Sequence, residues 1–226
     1  MIHPAAAAWQ PARDCALCPR LKDFRTRNRG LFPAFHNAPV PAFGPLSARL
    51  LVVGLAPGLK GANRTGRPFT GDYAGDLLYA TLLDQGFAQG RYGAAGDDGL
   101  SLSSCRITNA VRCVPPENKP TPAETTTCNR HLAAELAAMP DARAVLALGA
   151  IAHRAVLAAL GLRQAAHPFT HGAIHGIGGA LRLYDSYHCS RLNTNTGRLT
   201  APMFQAVVAR IARDLAANNP LPPAQP

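Results

Sequence analysis

The sequence predicts an α/β protein: a three-layer α/β/α sandwich with a central four-stranded parallel sheet. Three observations predict it. Four short β-rich segments, at residues 50–54, 105–109, 144–148 and 181–187, are nearly continuous in apolar residues, as expected of strands covered on both faces. Helical patterns lie between and after them, at 75–85, 121–138, 150–160 and 200–217, and this alternation argues for a parallel sheet with helices on both sides. The length of 226 residues with 47% hydrophobic content supplies one proper core. The expectation is therefore a single domain over 1–217. Its first 45 residues form an extension, and a Pro-rich tail at 218–226 is disordered.

The first strand, LLVVG, runs into the loop GLAPGLKGANRTGRPFTGD at 54–72. A loop leaving the carboxyl end of a parallel strand lies where open α/β sheets build their sites. Glycines and prolines hold it, while Asn63, Arg64, Arg67, Phe69 and Asp72 decorate it. One aromatic, one carboxylate and several backbone donors suit a flat polar ligand such as a nucleobase. The second strand, CRITN, ends at Asn109 and leads to Cys113 and the loop VPPENKPTPAETTT. The third strand, AVLAL, enters a helix through a glycine. Residues 161–180 carry His167, His171 and His175 at four-residue spacing, which on a helix would form a metal face. Pro168 and four glycines make a helix implausible there, so the segment reads as an exposed loop or hairpin. After the fourth strand comes SYHCSRLNTNTGRLT at 186–200, placing His188 at a strand end beside a polar loop. In the final helix Met203, Val207, Val208, Ile211 and Leu215 recur at helical spacing.

Charge and leader content narrow the function classes. Lys and Arg number 23 against 13 Asp and Glu, a formal net of +10, with Lys22, Lys60 and Lys119 the only lysines. An arginine-dominated excess expects a polyanion, with nucleic acid first, although a high-GC proteome writing Arg for Lys explains part of it. The opening MIHPAAAAWQPARD lacks a basic n-region, and no run of 18 apolar residues occurs. These features predict a soluble cytoplasmic protein, monomeric, with no membrane partner.

The six cysteines are Cys15, Cys18, Cys105, Cys113, Cys128 and Cys189. In a reducing compartment Cys15-x2-Cys18 looks like metal ligation rather than a disulfide. The Pro-rich loop brings Cys128, near the start of a helix, back toward Cys113. Four thiolates from two distant segments suit zinc or an iron–sulfur cluster, and the wide second pair tilts the choice toward [4Fe–4S]. Cys105 reads as a buried small hydrophobe. Cys189, beside His188, is not read as a nucleophile, because neighbours on a strand point apart.

Together these motifs (GLAPG…GANRTGRPFTGD, NAVRCVPPENKPTP…C, HPFTHGA and SYHCSRLNTNTGRLT) resemble the family 5 uracil-DNA glycosylases across roughly residues 15–215. The resemblance implies a DNA-repair enzyme acting on double-stranded DNA. It would flip uracil, and by extension hypoxanthine, xanthine or ethenocytosine, out of the helix and hydrolyse the N-glycosidic bond. It implies a [4Fe–4S] cluster on Cys15, Cys18, Cys113 and Cys128. Asp72, His188 and Asn118 would be catalytic. Gly54, Leu55, Ala56, Phe69 and Asn109 would receive the base, while Arg191, Asn193 and Asn195 would contact DNA. Two departures stand out. Leu55 and Ala56 occupy the place where other branches keep a carboxylate, which leaves Asp72 as the acidic group. Cys189 stands where many relatives have Pro. The covalent branch, with its nucleophilic histidine after the opening motif, is disfavoured because no histidine lies between His36 and His131. An iron–sulfur DNA-binding or electron-transfer protein without glycosylase turnover is the competing expectation; it leaves Phe69, Asp72 and His188 unused.

Overall fold

The computed structural model describes residues 9–217, so the tail expected to be disordered lies outside the described residues. In chain order the elements are α1 (Pro19–Leu31), β1 (Leu50–Gly54), α2 (Ala62–Thr65), α3 (Tyr73–Asp84), β2 (Ala88–Gln89), β3 (Ser101–Leu102) and β4 (Cys105–Asn109). There follow α4 (Pro122–Ala137), β5 (Ala144–Leu148), α5 (Ala150–Ala159), β6 (Ile174–Gly176), β7 (Arg182–Ser186), α6 (Arg191–Asn195) and α7 (Ala201–Ala216). The main sheet has the order β4-β1-β5-β7-β6. Its first four strands are the predicted parallel set, and β6 adds an antiparallel edge by hairpin pairing with β7. That hairpin occupies the segment where helix was excluded on Pro and Gly content. Among the described residues no helix is long and apolar enough to cross a membrane.

Every residue of β1, β4, β5 and β7 is buried, because helices cover both faces. Leu50 and Val52 pack with Leu78, Leu82, Phe204, Val208 and Ile211 of α3 and α7. Leu51 and Val53 point the other way, onto Leu132, Ala152 and Val156 of α4 and α5. Period-two alternation therefore feeds two cores from one strand. Helix α4 begins with Pro122 at its first position and a reciprocal capping box between Thr121 and Glu124. Phe43 bridges to Ile107, so the N-terminal extension covers the outer edge of β4.

Strand β1 is the topological switch. The chain passes from β1 to β4 on one side and then from β4 across to β5 on the other. The crevice at the carboxyl ends of these strands is where such sheets take ligands.

The 54–72 loop is anchored by Arg67. Its guanidinium forms a two-pronged pair with Asp98, at 2.8 and 2.6 Å, and lies over the rings of Phe43, Tyr79 and Tyr92. Both members of the pair are 6% exposed, and the guanidinium holds the Asp98 carboxyl well below the usual range. Arg67→Met is expected to cost about 3–5 kcal/mol, because it leaves the Asp98 charge buried and unpaired. Urea denaturation checks this: a loss below ~1 kcal/mol would overturn the anchoring role, and Arg67→Met with Asp98→Asn should recover part of the loss.

Candidate active site and metal centre

Three strand ends deliver side chains to one crevice. Gly54 closes β1 opposite Asn109 at the end of β4, and His188 follows β7 by two residues. The pocket there is lined by Ala56, Pro57, Gly58, Ala62, Phe69, Asp72, Ala74, Asn109 and His188. Glycine at position 54 is a steric requirement. A Cβ there would run into the Phe69 ring and stand 2.5 Å from Asn109 Oδ1, so the bare backbone lets ring and amide meet over the strand end.

Phe69 is held in a left-handed conformation, φ +54°, unusual for a bulky residue and of the kind that persists where surroundings over-determine it. Tyr92 Oη donates to the Phe69 carbonyl at 3.2 Å. The Phe69 ring lies roughly parallel to His188, with centroids 5.9 Å apart and planes at 27°.

Asp72 is the N-cap of α3, with one carboxylate oxygen accepting the Gly75 N–H at 3.2 Å. The other, Oδ2, faces the glycine loop. A Cβ on Gly61 would be 2.6 Å from it, and one on Gly58 would be 3.4 Å from it and 4.0 Å from Asn118 Oδ1. The carboxylate and the exposed Asn118 amide thus converge over Gly58. Burial pushes the Asp72 carboxyl up from its ordinary value, opposed by the Gly75 and Ala74 N–H groups. Burial pushes the His188 imidazole down to about 4, so the ring is a neutral hydrogen-bond donor near pH 7.

The remaining expected residues fall around this centre. Gly54 and Leu55 are both outside the pocket lining: Gly54 lies behind Phe69 and Asn109, and the Leu55 carbonyl accepts from Val111 N at 3.0 Å. Asn193 spends its amide on the His188 carbonyl at 2.8 Å, which makes it a support of the His188 loop. Arg191 and Asn195 are exposed on α6, with the Arg191 guanidinium 5.3 Å above the Tyr73 ring. Between them Leu192 is 72% exposed. Sequence reading singled out neither Leu192 nor Tyr92, and it named Asn63 without Asn37, its partner in the asparagine pair that ties the loop to α1. In that pair Asn63 donates to Asn37 Oδ1, and Asn37 donates to the Phe32 carbonyl. An apolar residue within an otherwise polar loop was the available signal for Leu192.

Behind Ala56 lies a second pocket, lined by Cys15, Cys18, Cys113 and Cys128 with Leu17, Leu21, Arg25 and Val111. All six cysteines are free thiols. Burial pushes Cys18 up to about 11 and Cys113 up to about 12, the state a metal reverses by claiming the thiolates. Arg25 supplies positive charge at the wall: Nη1 donates to Cys113 Sγ at 3.4 Å, while its buried Nε has no partner among the described residues. Four thiols brought to one pocket from two distant segments, with the Arg25 guanidinium beside them, are a donor set that fits a thiolate-bound metal centre. Cys105 is buried within β4. Cys189 is buried with its thiol directed at the Ala74 carbonyl, at 3.4 Å, and burial pushes it up to about 12, the surroundings of a structural rather than a reactive thiol.

Residues 41–212 match the family described as the uracil DNA glycosylase superfamily. The chain is 48% identical to a type-5 uracil-DNA glycosylase of Thermus thermophilus over 209 residues, covering 90% of this chain and 95% of that protein. A type-5 uracil-DNA glycosylase of Pyrobaculum aerophilum is 44% identical, with 89% of each chain covered. One of Mycobacterium bovis is 42% identical over 89% of this chain and 78% of its own.

Proposed function

The chain belongs to the type-5 uracil-DNA glycosylases of the uracil-DNA glycosylase superfamily, and on that premise we propose that it removes uracil from double-stranded DNA as a monofunctional repair glycosylase, leaving an abasic site. The convergence of Phe69, Asp72, Asn109 and His188 on one pocket at the sheet's switch point carries this reading. An electron-transfer protein has no use for that arrangement.

The reaction separates charge: the sugar becomes cationic as the base departs as an anion. Flipping comes first, at a cost of a few kcal/mol, and stacking on Phe69 returns roughly 1–3 kcal/mol. Asn109 reads the polar edge of the base, beside Ala56. His188 donates its N–H to the base oxygen where negative charge grows, a preorganised role that a neutral imidazole fills without reorganisation. Asp72 Oδ2 and Asn118 hold the attacking water, and the carboxylate stabilises the cationic sugar. On the DNA side, Arg191 and Asn195 meet the backbone and Leu192 is the apolar wedge that occupies the space of the extruded base. Hypoxanthine, xanthine and ethenocytosine are further substrates in the same pocket. Cys15, Cys18, Cys113 and Cys128 hold a [4Fe–4S] cluster, which when bound is a structural tie between the N-terminal extension and the Pro-rich loop.

Incubation with a uracil-containing duplex should produce abasic sites, and an otherwise identical thymine duplex should not. Duplex affinity should fall steeply between 50 and 200 mM salt, as phosphate contacts by the arginine excess require. Tight binding without abasic sites would favour the non-enzymatic DNA-binding reading, and a flat salt response would remove the electrostatic part.

A further inference from the structure

On the face of the sheet opposite Tyr184, Asp185 of β7 projects toward α5 with no exposed surface. Its two oxygens are divided between two imidazoles, His153 Nδ1 at 2.7 Å and His175 Nε2 at 3.1 Å. Among the described residues its ion-pair partners are these histidines, with no arginine or lysine. A carboxylate so deeply buried needs compensating positive charge.

Three features go beyond a hydrogen-bonded pair. The donor atoms of His153, His175 and Asp185 all lie within 4.8 Å of one another. The two rings have centroids 5.5 Å apart at 68°, and imidazoles sharing one tetrahedral ion at ordinary metal–nitrogen lengths place their centroids roughly 5–5.5 Å apart. Finally, His153 Nε2 lies 2.8 Å from the His167 carbonyl. An N–H on Nε2 donates there, and Nδ1, which faces Asp185 Oδ1 at 2.7 Å, is the nitrogen an ion would take on displacing that direct contact. The Nε2 contact is the outer hydrogen bond that orients metal-bound histidines.

We propose that His153, His175 and Asp185 form a binding site for a divalent first-row transition ion, separate from the cysteine pocket. Two imidazole nitrogens and one carboxylate select against Mg²⁺ and Ca²⁺ and suit zinc and its neighbours. Water fills the fourth position. His175, on the edge strand β6 and 13% exposed, gives the ion its way in. The ion joins α5, β6 and β7 in one knot, three residues before His188. This proposal does not depend on the glycosylase reading, since it concerns residues outside that pocket.

The test uses anaerobically purified protein with its iron in place, stripped of loose metal by EDTA, equilibrated with Zn²⁺ and desalted. Wild type should retain about one zinc per chain. His175→Gln and Asp185→Asn should retain none, with iron content unchanged in all three. Excess zinc should raise the melting temperature of wild type by several degrees and leave that of His175→Gln unmoved. Wild type without zinc at full iron content, or equal zinc in His175→Gln, overturns the proposal. Should Asp185→Asn fail to fold, His175→Gln on the partly exposed edge strand decides alone.

Discussion

Replacing Asp72 by alanine is expected to slow single-turnover release of uracil by roughly 10²–10⁴-fold, the range for a positioned catalytic group, with duplex affinity nearly unchanged. Among the described residues no other acidic side chain lines the pocket, and Leu55 and Ala56 supply no replacement. Alanine also removes the N-cap of α3, which costs about 1 kcal/mol of stability and confuses the result. Asp72→Asn separates the two roles, because asparagine caps as well as aspartate but carries no charge. The expected outcome is a capped, stable and equally slow enzyme. Near-normal rates in Asp72→Asn would mean that the cap, not the carboxylate, is what the site requires.

His188→Ala is expected to lower the same rate by about 10²–10³-fold, the effect of deleting one preorganised donor to a developing anion. The pH profile discriminates further. With the folded imidazole pushed down to about 4, its ionisation should leave no inflection near pH 6.5. An inflection near 6.5 that disappears in His188→Gln would sink the neutral-donor role. Stability carries the matching sign. The unfolded chain takes up a proton on this ring near 6.5, whereas the folded chain does so only near 4. This contribution is therefore fully present above 6.5 and is lost as pH falls through about 4. Going from pH 7.5 to pH 5 should lower the urea midpoint of wild type more than that of His188→Gln.

The parallel strands were legible because burial on both faces leaves β1 and β5 as unbroken apolar runs, and the predicted bounds of β1, β4 and β5 match those observed. Helix α7 was legible through Val207, Val208, Ile211 and Leu215, which are all buried. Helix α1 was not. It buries Leu21, Arg25 and Asn28, a mostly polar face in which Arg25 turns to the cysteine pocket and the Asn28 carbonyl accepts from Asn37, so no apolar period exists to detect. Edge strand β6 escaped for the opposite reason: three residues beside glycines carry a turn signal and almost no strand signal. At the site, residue types and strand ends were readable, because strand ends alone decide which loops share an edge. The Asp72 cap is local, reaching Gly75 three residues on, and an Asp ahead of a helix was a readable signal. The Tyr92 brace on Phe69 and the His153–Asp185–His175 knot depend on contacts between distant segments, which no local pattern encodes.

Gly54 bears on how such an enzyme can change over generations. Two pocket walls, Phe69 and Asn109, rest on its bare main chain, and the absence of a side chain there is itself a fitted part. Selection can widen or narrow substrate range from the walls, at Ala62 or Ala74, one methyl group at a time. At Gly54 no graded path is open: the smallest possible step, to alanine, already displaces Phe69 and Asn109 together. The position contributes constancy to a lineage whose chemistry is free to drift around it.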